Sequence, residues 1–181
     1  DELATFGFED TLYRLTIPGR HMALNAVAAI LVVRALTATL GLGWTESMAD
    51  KAEETLAAYV GTRRRSELIG EAAGVRVYDD YAHHPAAIKA TLEAFHEFFP
   101  GRRLVVSFMS HTYSRTKALL EDFSHAFDCA AALILHKIYA SAREREGNEA
   151  VEADMVAALQ AAHPNLTYIP EPLEAADVCI A

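Results

Sequence analysis

The chain has 181 residues, 52% of them apolar, and a formal net charge of −9 at pH 7. That length allows one good core, or one domain and part of another, and the acidic balance excludes a general binder of nucleic acid or anionic membrane, which needs a basic face. No apolar run reads as long enough to span a bilayer, Asp1-Glu2-Leu3 lacks a signal-peptide pattern, and Cys129 and Cys179 lie in apolar stretches without CxxC spacing; two reduced thiols in a cytoplasmic protein are expected.

Residues 3–8 and 11–17 read as two short strands about a turn at Glu9-Asp10. Pro18-Gly19 leads into a helix over 21–40. It is apolar nearly all round (Met22, Ala26, Val27, Ile30, Leu31, Val33), which predicts a buried helix. Gly41-Leu42-Gly43 stops it, and Thr45 caps a second helix running to Gly61. Beyond Gly61 the basic triplet Arg63-Arg64-Arg65 precedes an alternation of strands (75–78, 104–108, 133–135, 166–169) and helices (86–98, opened by Pro85; 116–127; 151–161). Val178-Cys179-Ile180 reads as a last strand. The alternation predicts an α/β fold, a mostly parallel sheet with helices on both faces, and the change of pattern predicts domains over 1–60 and 61–181.

Three of these strands end in polar loops: Asp79-Asp80-Tyr81-Ala82-His83-His84-Pro85, residues 109–116, and residues 136–144. The carboxyl ends of parallel strands share one sheet edge, so the three loops are expected to converge there. Asp79 and Asp80 could serve only as helix caps, but that leaves Tyr81, His83 and His84 unexplained. Ser114 reads as the N-cap of the helix at Thr116. Arg115, in that helix's first turn, opposes the macrodipole and fits a bound carboxylate or phosphate. Arg63-Arg64-Arg65 is either a solvated connector or an anion contact. His83, His84, His111 and Asp80 could hold a zinc-like ion; adjacent histidines diverge, however, and neither H-E-x-x-H nor H-x-H occurs, so no metal site is expected. Neither G-x-x-x-x-G-K-[ST] nor G-x-G-x-x-G after a strand occurs. A triphosphate cradle is therefore expected outside this chain.

These loops also carry a resemblance. Residues 79–85 are similar to the D-D-Y-A-H-H-P signature of the Mur ligases, and Ser110-His111-Thr112-Tyr113-Ser114-Arg115-Thr116-Lys117 resembles their P-H-R-Y-S-R-T-K segment. Pro18-Gly19-Arg20-His21-Met22-Ala23-Leu24-Asn25-Ala26 resembles P-G-R-H-N-x-L-N-A, and residues 61–67 resemble G-x-x-R-R-F-E. Four motifs in order, over almost the whole chain, make the match specific.

The resemblance implies a place in an ATP- and Mg2+-dependent ligase of peptidoglycan-precursor synthesis. It joins L-alanine to UDP-N-acetylmuramate through an acyl phosphate. Residues 1–60 would be the tail of a central ATP-binding domain and 61–181 most of a carboxy-terminal Rossmann-like domain, hinged near Gly61, the piece alone being inactive. By motif, His21 and Asn25 would face adenine, Arg65 the phosphates and Asp80 the ribose. Tyr81, His83, His111 and Arg115 would surround the amino acid, with His83 or His111 drawing a proton from its ammonium. Thr112 stands where the family has an arginine for the amino-acid carboxylate, which leaves that task to Arg115; Ser110, Met22 and Ser66 replace proline, asparagine and phenylalanine. The alternatives are a related ligase that attaches a preformed tripeptide, and a non-catalytic ligand-binding module of the same fold.

Overall fold

A computed structural model describes residues 3–140, 144 and 149–175. The chain divides into two compact units, Asp1–Tyr81 and Ala82–Ala181.

In the first unit, β1 (Ala4–Phe8) and β2 (Thr11–Leu15) form an antiparallel hairpin, turned at Glu9, whose φ is 51°. Alternation buries Tyr13 and Leu15, and Phe6 stacks on Tyr13 at 5.4 Å. α1 (Arg20–Thr39) starts after Gly19. It corrects two expectations. Only Ala26 and Ile30, one turn apart, are buried, while Leu24, Leu31, Val32, Val33 and Leu36 are exposed. Its 20 residues, with a mean hydropathy of 1.8 over an 18-residue window, are also long and apolar enough to cross a membrane by length and composition. Apolarity around a helix states what it could bury; the neighbours in this unit cover a single stripe. α2 (Glu46–Ala57) is capped as expected, the Thr45 hydroxyl accepting from the Met48 amide.

β3 (Glu67–Ala72) and β4 (Val75–Asp79) form a second antiparallel hairpin, turned at Ala73 and Gly74 with φ of 50° and 78°. Two consecutive positive φ values give the turn whose twist matches a hairpin. β4 therefore does not lie in the parallel sheet, where the sequence placed it. Its partner β3 carries Gly70 and little alternation, and the register shifts between Leu68 and Gly70.

In the second unit Pro85 occupies the first turn of α3 (Pro85–Phe98). β5 (Val105–Phe108), β6 (Ala132–Leu135) and β7 (Leu166–Tyr168) form a parallel sheet in that order. Between them lie α4 (Tyr113–Ala118), α5 (Leu120–Ser124) and α6 (Glu149–Ala162). This is the α/β class read from the alternation. The helix expected over 116–127 is broken at Leu119, whose φ of −119° leaves the helical region. Phe108, Leu133 and Leu135 form one buried cluster with Ile88 and Leu92 of α3, Phe123, Phe127, and Met155 and Leu159 of α6. The strand expected at 178–180 lies outside the described residues.

Candidate functional site

The β3–β4 hairpin sets the first cluster. Its register places Glu67 opposite Asp79, so residues 64–67 meet residues 79–81 across the hairpin mouth. Asp80 Oδ2 accepts from the Ser66 amide (2.7 Å) and the Ser66 hydroxyl (3.2 Å). Arg64 lies 3.5 Å from Asp79, its amide donates to Glu67, and its carbonyl accepts from the Tyr81 amide (2.8 Å). The guanidinium groups of Arg64 and Arg65 lie 4.9 and 5.7 Å from the centre of the Tyr81 ring, within cation–π range. Arg64 and Ser66 adopt φ of 59° and 47°, a left-handed backbone that costs free energy outside glycine. The two aspartates are not caps: His84 Nδ1 accepts from the Ala86 amide (3.4 Å) at the start of α3.

His21 and Asn25 lie one turn apart on one side of α1. Asn25 is exposed, and its amide meets the Met22 sulfur at 4.0 Å.

The second cluster stands at the carboxyl edge of the parallel sheet. There the loops after β5 and β6 converge as expected, by extending the ladder beyond the strands. Phe108 O accepts from the His136 amide (2.9 Å), Ser110 O from the Tyr139 amide (2.8 Å), and Tyr139 O from the Thr112 amide (2.9 Å). His111 and Tyr139 thereby form a parallel bridge, and their rings stack at 5.3 Å with 22° between the planes. The first loop follows β4, a strand of the β3–β4 hairpin and not of the parallel sheet. His83 is half-buried just before α3. Residues 141–143 of the third loop lie outside the described residues.

Buried hydroxyls hold the loop after β5. Thr116 donates to Thr112 O (2.8 Å), so Ser110 supplies the proton in its 2.7 Å bond to Thr116. Thr112 has a φ of 76°, an outlier for a β-branched residue. α4 begins at Tyr113, not at the helix start expected near Thr116, and Ser114 is not its N-cap. Glu144 takes that role from the next loop: its carboxylate accepts from the Tyr113 and Ser114 amides (2.9 Å each) and the Ser114 hydroxyl (2.7 Å). Arg115 is half-buried, and among the described residues no acid pairs with it.

Acids distant in sequence complete the support. Glu152 of α6 accepts from the Ile138 amide (2.9 Å) and the Tyr168 hydroxyl (2.6 Å). Burial, then the Glu152 carboxylate, pushes the Tyr168 hydroxyl above the ordinary tyrosine range, and burial does the same at Tyr113. The buried His136 is held between the Ser107 hydroxyl (2.8 Å) and Ile169 O (2.7 Å), which places its proton on Nδ1. Burial raises the thiol of Cys129, which is half-buried against the core. Tyr139, Glu144 and Glu152 escaped the sequence reading; only Tyr139 and Glu144 sat in a loop already marked for chemistry.

Comparisons with known proteins agree with this architecture. Residues 64–181 match the family described as Mur ligase, glutamate ligase domain. UDP-N-acetylmuramate–L-alanine ligase of Treponema pallidum is 48% identical over 138 residues, which are 76% of this chain and 28% of that protein. The enzyme of the same name from Caldanaerobacter subterraneus is 42% identical over 159 residues, 88% of this chain and 32% of that protein. The chain thus spans about a third or less of the curated relatives it matches. The solved structure of UDP-N-acetylmuramate-alanine ligase MurC from Thermotoga maritima superposes with a TM-score of 0.70 at 23% identity, covering 97% of this chain and 35% of that one, a likeness of fold. With a family match over more than half its length, on the parallel-sheet unit and the hairpin that carries Asp80, the chain belongs to the Mur ligases.

Proposed function

We propose that this chain is part of an ATP-dependent ligase that joins L-alanine to UDP-N-acetylmuramate in peptidoglycan-precursor synthesis. The observation that carries the reading is the 48% identity to a relative bearing that name over 76% of the chain. Residues 1–60 are assigned to the end of the central ATP-binding domain and 61–181 to the glutamate ligase domain. The exposed apolar sides of α1 fit burial against the remainder of a longer ligase, in the cytoplasm.

A carboxylate is a poor electrophile. Transfer of the γ-phosphoryl group of ATP to the muramate carboxylate creates a leaving group, and the alanine amine then displaces phosphate as the amide forms. The protein's share is positioning and charge stabilisation. Among the described residues no group of three or more His, Cys, Asp or Glu could hold a metal ion, and no phosphate loop occurs; the Mg2+ site and the triphosphate cradle are assigned to the rest of the ligase. Within this chain, His21 and Asn25 are assigned to adenine, Arg65 to a phosphate and Asp80 to the ribose. Tyr81, His83, His111 and Arg115 are assigned to the amino acid. Arg115 supports its part by chemistry: a half-buried guanidinium without an acid among the described residues suits a ligand carboxylate. An imidazole, His111 or His83, suits removal of a proton from the attacking ammonium.

The test is amino-acid-dependent phosphate release by the full-length ligase with ATP, Mg2+ and UDP-N-acetylmuramate. Release with L-alanine, with KM for alanine raised at least tenfold by Arg115→Ala, is expected. Release only with a preformed tripeptide would move the acceptor. No release with any acceptor would refute the ligase reading and leave a binding module of the same fold.

A further inference from the structure

We infer that Tyr139 is a positioning residue for His111, holding its imidazole by a ring stack on a backbone that the two loops fix together. The inference rests on the ligase reading for its consequence in catalysis, not for its geometry.

His111 is exposed at the carboxyl edge of the sheet, where a free imidazole would sample several rotamers. Tyr139 is also exposed, at 56% of its surface, and its hydroxyl has no hydrogen-bond partner among the described residues. The ring, at 5.3 Å and 22° from the imidazole, is the part of the side chain with a defined contact. Its place follows from the main chain. Ser110 O and Thr112 N, the groups flanking His111, both bond the backbone of Tyr139. The residue before Tyr139 is held in turn by Glu152, through the Ile138 amide. The ring pair thus stands on a three-point clasp reaching from α6 to β5. A stacked aromatic face restrains a planar ring in tilt and translation while leaving both its nitrogens open at the edge, as proton transfer requires.

Three variants of the full-length ligase test this. Tyr139→Leu is expected to lower kcat with L-alanine roughly 3- to 10-fold, the size of one aromatic pair, with KM for ATP unchanged. Tyr139→Phe, which keeps the ring, is expected to stay within about twofold of the parent. In a His111→Ala background Tyr139→Leu should cause no further loss, because its effect acts through the imidazole. Wild-type kcat in Tyr139→Leu, equal damage by Phe and Leu, or losses that add with His111→Ala would overturn the inference. Histidine side-chain NMR of the same proteins keeps the two readings apart. The His111 ring protons should move with Tyr139→Leu and stay with Tyr139→Phe, whether or not the parent turns over alanine. Unmoved His111 signals in Tyr139→Leu would refute the positioning role, whereas an inactive parent with the expected shifts would refute only the ligase reading.

Discussion

Glu152→Ala tests whether the second unit's loop edge is held from α6. The carboxylate accepts two hydrogen bonds, from the Ile138 amide at 2.9 Å and the Tyr168 hydroxyl at 2.6 Å. Bonds to a charged acceptor contribute roughly 1.5–3 kcal/mol each; because Glu152 is half-buried, the lower end applies, about 3 kcal/mol for the pair. The losses are unequal in kind. The Tyr168 hydroxyl can turn to water, whereas the Ile138 amide, beside a side chain only 3% exposed, is left without a partner. For a unit of about 100 residues each kcal/mol shifts Tm by roughly 4–8 °C, so a fall of about 12–24 °C is expected by circular dichroism. Glu152→Gln keeps one acceptor oxygen and should lose about half as much. A loss under about 1 kcal/mol in Glu152→Ala, read from urea midpoints at constant m, would refute the reasoning and show that water replaces the carboxylate.

Gly61 has a φ of 92°, and a Cβ there would stand 2.8 Å from the Ile17 side chain, itself buried. Gly61→Ala should cost about 1–3 kcal/mol, while Gly41→Ala, at φ 72° with open space around it, should lose only about 1; equal losses in urea denaturation would remove the role of the Ile17 contact. The raised Tyr168 hydroxyl sets a pH dependence. Its stabilising contribution is fully present below the unfolded tyrosine value of about 10 and is lost as pH rises above it, since the unfolded chain ionises first. Tyr168→Phe should flatten the decline in urea midpoint above about pH 10 relative to the parent, and an unchanged slope would assign the decline to other groups.

Local signals were legible and non-local ones were not. The Glu9-Asp10 turn, the Thr45 cap and Pro85 at the head of α3 are each decided by residues within one turn. β3 escaped because Leu68 and Ile69 are adjacent and Gly70 interrupts them, so its pairing rests on the Ala73-Gly74 turn and on β4. Once β3 takes β4 into a hairpin, only two of the three loops follow strands of the parallel sheet. Ser114 failed as a cap because Glu144, 30 residues away, supplies the carboxylate that a local side chain would otherwise provide. The exposure of α1 lies at the same limit, since burial depends on what else is present to cover it.

The four departures from the family pattern have a common physical setting. Met22 meets the Asn25 amide, Ser66 donates twice to Asp80, Ser110 anchors Tyr139 through its carbonyl and Thr116 through its hydroxyl, and Thr112 follows His111. Ser66 and Thr112 also carry positive φ, a strain of about 1–3 kcal/mol each that persists only where surrounding bonds hold it. Two bonds to Asp80 do so at Ser66, and bonds to Tyr139 O and from Thr116 do so at Thr112. The four substituted residues thus stand beside Asn25, Asp80 and His111, which with Arg115 match the family motifs.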